Sequence, residues 1–528
     1  MELHPTANEE TPLLSETSLP TKPSPPDSKP SRPYRNIILL LCSVLILTQC
    51  GEELSESPQS RISEAIICYR HYETADPSKL LADRSSVSPG AIGGVAEELC
   101  KIEAVQNQLS SLRGFQGFLN GGPSLLLALP FGWAADKYGR KPILTLGVLS
   151  FVLQAAWVEI VCWFWQSFDI RWTWASSLHG LMGGSSPVVS ALFFVIVSDV
   201  VPEEDRSKVF LQLGGANLVS TVCMPLLAAW LMEITPWIPV IAGTLGKACA
   251  VLLVLAMPET LGFQHQTDNT SPTSPEEEED PTAEQQQSSS ANNPHYLSTL
   301  RSSTAFLLHD WRVPALTLTF LLHLMVANNS ALTTQYISTR YALHLSQATQ
   351  LLTLRALANI TLLFALLPLL SSSLTTHLHL SPARRDLYMS RASMFAWALG
   401  FTAFGLAPTL ASATLGMGLS ALGSGSFFLI RSFLTPLVPG RNVAALYSVV
   451  SVVDTLGAML GAPLLAVLFN RGLSVGAPGL PFLFLGALCA GVAVLLCVVG
   501  VRKGEEEDVG KRGQVDEVGD SGSMAEDA

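Results

Sequence analysis

The sequence predicts an all-α polytopic membrane protein, with twelve transmembrane helices arranged as two six-helix bundles. Three observations carry that expectation. The 528 residues are 48% hydrophobic and only 14% charged, with a mean hydropathy of +0.36, too apolar for a soluble chain of this length. Twelve stretches are long and apolar enough to cross a hydrocarbon core of about 30 Å at about 1.5 Å per residue. A polar, low-complexity segment of about fifty residues divides them six and six.

Residues 1–35 are rich in Pro, Ser and Thr and carry no apolar h-region before Ile37, so they read as a disordered cytoplasmic tail rather than a cleaved signal. Within them Glu9, Leu13 and Leu14 match the acidic dileucine pattern of endosomal or vacuolar sorting, which leaves plasma and vacuolar membranes both open. The first bundle, 36–257, has spans near 36–54, 111–134, 143–165, 174–200, 208–232 and 236–257, with an outer loop at about 55–108. The acidic linker 258–312 contains "SPEEEED", a solvated charge run. The second bundle, 313–502, has spans near 313–335, 347–371, 388–407, 409–435, 443–469 and 479–501, and 503–528 form a second disordered tail.

Orientation follows from basic residues retained in short cytoplasmic loops. Lys137, Arg140 and Lys141, then Arg206 and Lys208, Arg384, Arg385 and Arg391, Arg441, and Arg502 and Lys503 fall on one side, against Arg171, Arg340 and Arg471 in the short loops opposite. The N-terminus is therefore inside. Trp157, Trp163, Trp165, Trp172 and Trp174 gather where the third and fourth spans meet the outer surface, as an interfacial belt would. Cys68 and Cys100 share the outer loop, an oxidising compartment in which a disulfide persists. Cys50 competes for the pairing, and two free thiols are the alternative. A net charge of -12 argues against nucleic acid as a partner. Nine cysteines without a C-x-x-C pair point to no metal or cofactor.

The most informative short stretch is "GWAADKYGRKP", Gly132 to Pro142, a charged turn between the second and third spans. Gly139 supplies the backbone freedom of a tight reversal. Asp136 and Arg140 flank it and can pair at the inner surface when that side is closed and part when it opens. Asp199, in "VIVSDVVPEEDRSKVF", is the natural third member. Gly132, Asp136, Gly139, Arg140 and Lys141 match, position by position, the Gly-x-x-x-Asp-x-x-Gly-Arg-Lys/Arg hairpin, and the chain resembles the major facilitator superfamily over about 36–502. "MPETLG", Met257 to Gly262, is similar to the family's Pro-Glu-Ser/Thr element. Pro225, Ala228 and Ala229 stand where its exporters show Gly-Pro-x-x-Gly-Gly, with alanines in place of the glycines. The family's frequent Arg-x-x-x-Gly of span four is absent.

Ionisable groups at membrane depth cost roughly 2.5 to 3.5 kcal/mol on insertion scales, so they face a cavity or a partner. Lys247, Arg355 and Asp454 are such groups, and His179 and His323 are candidate proton carriers. Lys247 and Arg355 suit an anionic group on a substrate; Asp454 suits a proton or a basic partner. Without an ATP-binding Gly-x-x-x-x-Gly-Lys-Ser/Thr, an ion gradient must supply the work, and the proton is the expected ion. The resemblance to fungal drug and metabolite efflux members implies proton-coupled export of a small organic molecule by a monomer in the lipid bilayer. Proton-coupled uptake of an organic anion is the rival, since the Cys-containing outer loop looks like that of folate-type solute carriers. A non-transporting receptor and a membrane enzyme are further alternatives; no Ser/His/Asp or metal constellation favours the last.

Overall fold

The computed structural model describes residues 34–201, 203–260, 310–378, 381–438 and 443–500, and among these there is no strand. The dileucine pattern, the acidic linker run, Arg441, Arg502 and Lys503 lie outside the described residues. The first half contains α1 (Tyr34–Ala75), α2 (Glu103–Tyr138), α3 (Arg140–Trp163), α4 (Ser185–Val200), α5 (Glu203–Met232) and α6 (Trp237–Ala256). The second contains α7 (Arg312–Ala327), α8 (Ser330–Arg340), α9 (Leu345–Thr361), α10 (Leu367–Leu378), α11 (Pro382–Leu406), α12 (Leu410–Ala421), α13 (Ser426–Leu434), α14 (Val443–Ser474) and α15 (Leu480–Val498). A π turn at Leu362–Leu366 joins α9 to α10.

Among the described residues nine helical runs are long and apolar enough to cross a membrane, or ten when α7 and α8, bent by 51°, count as one. The two remaining expected spans are α2 and α11. Both are long enough at about 1.5 Å per residue but are interrupted by polar side chains such as Arg113, Gln116 and Asn120 in α2 and Arg384, Arg385 and Arg391 in α11. Each half has its own apolar core. One is built from residues such as Leu41, Val148, Ile196 and Val254; the other from Phe320, Met394, Ile430 and Phe482. Separate cores allow the halves to move against each other without unpacking either.

The outer segment departs from the expected loop. Helix α1 runs on past residue 54 to Ala75, because Ile62, Ile66 and Tyr69 continue an apolar stripe at i, i+4 and i+7. They bury against Val105, Leu109, Trp165 and Trp237 in a third core outside the bundles. Trp165 is accordingly a core residue, 2% exposed and edge-on to Tyr69 at 5.1 Å, whereas Trp163 and Trp172 remain exposed in the manner of a belt. Cys68 and Cys100 are joined in a disulfide with Cα atoms 5.3 Å apart, while Cys50 is free.

The halves meet toward the end that carries the Cys68–Cys100 segment, the end the basic-residue pattern assigns to the outside. Gly114, Gly117 and Gly121 of α2 lie against Ala466, Ala462 and Met459 of α14, so absent side chains let two backbones approach closely. Hydrogen bonds also cross there: Asn470 Nδ2 donates to Ser111 at 2.9 Å, Ser330 to Glu56 at 2.7 Å, and Gln335 to Gln106 at 2.9 Å. Toward the inner side Leu126 and Trp133 of α2 and Phe194 of α4 stand exposed.

Candidate transport cavity and inner charge cluster

A cavity of about 390 Å³ opens among the first-half helices and is lined by Gln49, Glu52, Gln154, His179 and Lys247, with Asn328 contributed by the second half. The volume falls in the range of small-molecule sites, about 300 to 1,000 Å³. Lys247 is buried, and its ammonium donates to the Glu52 carboxylate. Glu52 lies in the part of α1 that crosses the membrane, yet 64% of its side chain is accessible because it borders the cavity. Its charge is thus paired and reachable at once. His179 lines the same cavity, with Nδ1 2.8 Å from the Ser176 carbonyl.

A second cluster belongs to the other half. His323 Nδ1 of α7 is 2.9 Å from Asp454 Oδ1 of α14, and Arg431 Nη2 of α13 is 3.7 Å from Asp454 Oδ2. The Arg431 guanidinium also stacks over the Phe320 ring at 5.3 Å, a cation–π contact. Arg355 stands apart from both clusters. Its Nη1 donates to Asn329 Oδ1 at 2.9 Å, at the break between α7 and α8.

At the inner end, Arg140 pairs with Asp136 and places Nε 3.3 Å from Asp199 Oδ2. Glu259, from the "MPETLG" element, receives the Arg140 backbone N–H at 2.9 Å and so satisfies a first-turn donor of α3. Lys141 Nζ donates to the Leu255 carbonyl at 2.7 Å. Gly139 adopts a φ of 107°, and a Cβ there would meet the Glu259 carboxylate. Gly132 has open space where a side chain would stand. These partners of Arg140 and Lys141 all belong to the first half. The cluster ties the ends of α2, α3 and α4 and the end of α6 into one unit.

Sequence reasoning named Lys247, His179, His323, Asp454 and Arg355, and the structure brings the first two to one cavity and the next two into contact. It missed Glu52, because "CGEELSE" was taken as the boundary of the first span, and it missed Arg431 within the apolar run "FFLIRSF". The isolated charge that flagged Arg355 was equally present at Arg431. Among the described residues no group of three or more His, Cys, Asp or Glu side chains could hold a metal ion.

Two helical halves with separate cores, joined at one side and holding a charged cavity, make up a multi-pass membrane transporter for small molecules. The family profile for the Major Facilitator Superfamily matches residues 102–435, and the chain belongs to that family. It is 30% identical over 504 residues, covering 94% of both chains, to "MFS efflux pump atnC" of Emericella nidulans. It is 26% identical, over 88% of each chain, to "MFS-type transporeter aprT" of Aspergillus flavus. Among solved structures it resembles the D-xylose-proton symporter, with a TM-score of 0.58 at 12% identity over 87% of this chain and 96% of that one. It also resembles the human organic anion transporter MFSD10 (TETRAN), with a TM-score of 0.52 at 18% identity over 88% and 99%. At such identities these two likenesses concern the fold.

Proposed function

We propose that the chain exports a small organic molecule in exchange for protons by alternating access. Efflux is taken from the relatives, two of which are named efflux pumps at 30% and 24% identity. The observation that carries the coupling is the Glu52–Lys247 pair, buried on the lysine side and open to the cavity on the glutamate side. A proton on Glu52 removes the partner of Lys247 and leaves a buried cation uncompensated, which is costly at membrane depth. Facing the cytoplasm, Glu52 releases its proton there and the ion pair with Lys247 re-forms, and cargo then enters a cavity whose pair is ionised. Proton and cargo therefore occupy the site in turn. Asp454, held by His323 and Arg431, balances charge in the second half in the same way, and Arg355 offers a cation to an acidic group on the cargo.

The test is transport by purified protein in vesicles. Glu52→Gln should abolish uptake driven by a pH gradient while keeping exchange of cargo for cargo, since only proton binding is lost. Wild-type pH-driven uptake by Glu52→Gln at equal protein amount would remove Glu52 from the coupling.

A further inference from the structure

We propose that Glu97 is the positioning residue of the outer gate. From a loop pinned by the Cys68–Cys100 disulfide it caps the first turn of α9 in the opposite half, and this contact breaks each time the outer side opens.

The contact is well defined. Glu97 opens the short 3-10 helix Glu97–Cys100, so the disulfide lies three residues away on the same turn. Its Oε1 accepts the Leu345 backbone N–H at 2.7 Å, the first residue of the 17-residue helix α9. His344 Nδ1 approaches Oε2 at 3.3 Å. The His344 N–H is already taken by Gln347, at 3.3 Å, which leaves the Leu345 N–H for Glu97. A carboxylate at a helix N-terminus is favoured by the helix dipole and by a charge-assisted hydrogen bond.

The acceptor is held ready from its own side. Arg61 Nε lies 2.9 Å from Glu97 Oε2 and Lys101 Nζ 3.2 Å from Oε1. Lys101 also reaches Glu64 at 2.8 Å, whose side chain is fully buried and receives Gln106 Nε2 at 2.7 Å. When α9 swings away, Glu97 keeps Arg61 and Lys101, and the Leu345 N–H passes to water. Breaking and remaking the contact thus costs the Leu345 hydrogen bond and the His344 contact and no rearrangement of the first half, as a gate requires. The proposal depends on alternating exposure of the two sides and is independent of the cargo and the coupling ion.

The experiment uses the full chain in vesicles, with the seven unpaired cysteines replaced and Ser111→Cys as a reporter on the outer contact. An impermeant maleimide is applied from outside. A second reporter, Leu126→Cys on the exposed inner part of α2, is labelled from inside. Glu97→Gln should speed outer labelling about tenfold, the population shift expected from loss of one charged hydrogen bond, and slow inner labelling. Glu97→Asp, which keeps the charge, should stay within about threefold of the parent. A merely structural role would raise both reporters together or lower the protein amount. Outer labelling at the parent rate in Glu97→Gln, or a joint rise of both reporters, overturns the assignment. Should Glu97→Gln fail to reach the membrane, the paired Cys68→Ser and Cys100→Ser variant carries the same two-reporter test.

Discussion

Arg140 holds two carboxylates of unequal worth. The Asp136 side chain is 66% exposed and that of Asp199 only 14%, and exposed pairs contribute little because solvent screens them. Asp199 is therefore the partner that matters more, although the hairpin motif draws attention to Asp136. Arg140→Ala, which strands a largely buried carboxylate, should reduce transport more than Asp136→Asn, with protein amount near normal in both; comparing flux per molecule in vesicles checks the order. Gly139→Ala places a Cβ at φ 107° and against Glu259, a strain of about 1 to 3 kcal/mol. It should lower Tm in detergent. Glu97 adds a pH dependence outside the membrane. Burial by itself would raise its carboxyl, but Arg61 and Lys101, with the Leu345 N–H, hold it down at about 2. A depressed acid stabilises above its ordinary range, about pH 4.5, and loses that contribution as pH falls toward 2, on the order of 3 kcal/mol in all. Outer labelling of the Ser111→Cys reporter, divided at each pH by that of a fully exposed cysteine so that thiol ionisation cancels, should rise as Glu97 is protonated below about pH 4.

At the scale of elements, the α2–α14 contact decides how tightly the outer side closes. Gly117 sits where a Cβ would lie 2.6 Å from the Ala462 Cβ, whereas Gly122, five residues on, has nothing within 4 Å. Gly117→Val should force the helices apart at a cost of about 1 to 3 kcal/mol, reducing transport about tenfold. Gly122→Val should leave transport unchanged; equal loss in both variants would show that the glycines act through something other than this contact. The long α1 is the other decisive element. Its outer turns carry Arg61, Glu64 and Cys68, so one helix links the cavity residue Glu52 to the charged knot around Glu97.

For the whole molecule, separate cores and a seam shared at one end describe two bodies around a cavity. The elements were largely legible in the sequence, since hydrocarbon thickness sets a minimum apolar length that a single segment must meet alone. The hairpin at Gly139 was legible too, because its turn, cap and charges lie within ten residues. Glu52 was not, because its partner Lys247 lies 195 residues away and the span boundary was drawn by polarity. Nor was Glu97, which in sequence is one acid among several in an outer loop.

The sequence by itself determined the membrane-spanning helices, the division into halves and the charged turn at Gly139, all of which follow from local composition against a bilayer. Only the tertiary structure decided which charges meet. Coulombic and hydrogen-bonded partners are chosen by distance in space, and the pairing of Lys247 with Glu52, of Asp454 with His323, and of Glu97 with the first turn of α9 depends on how the helices pack.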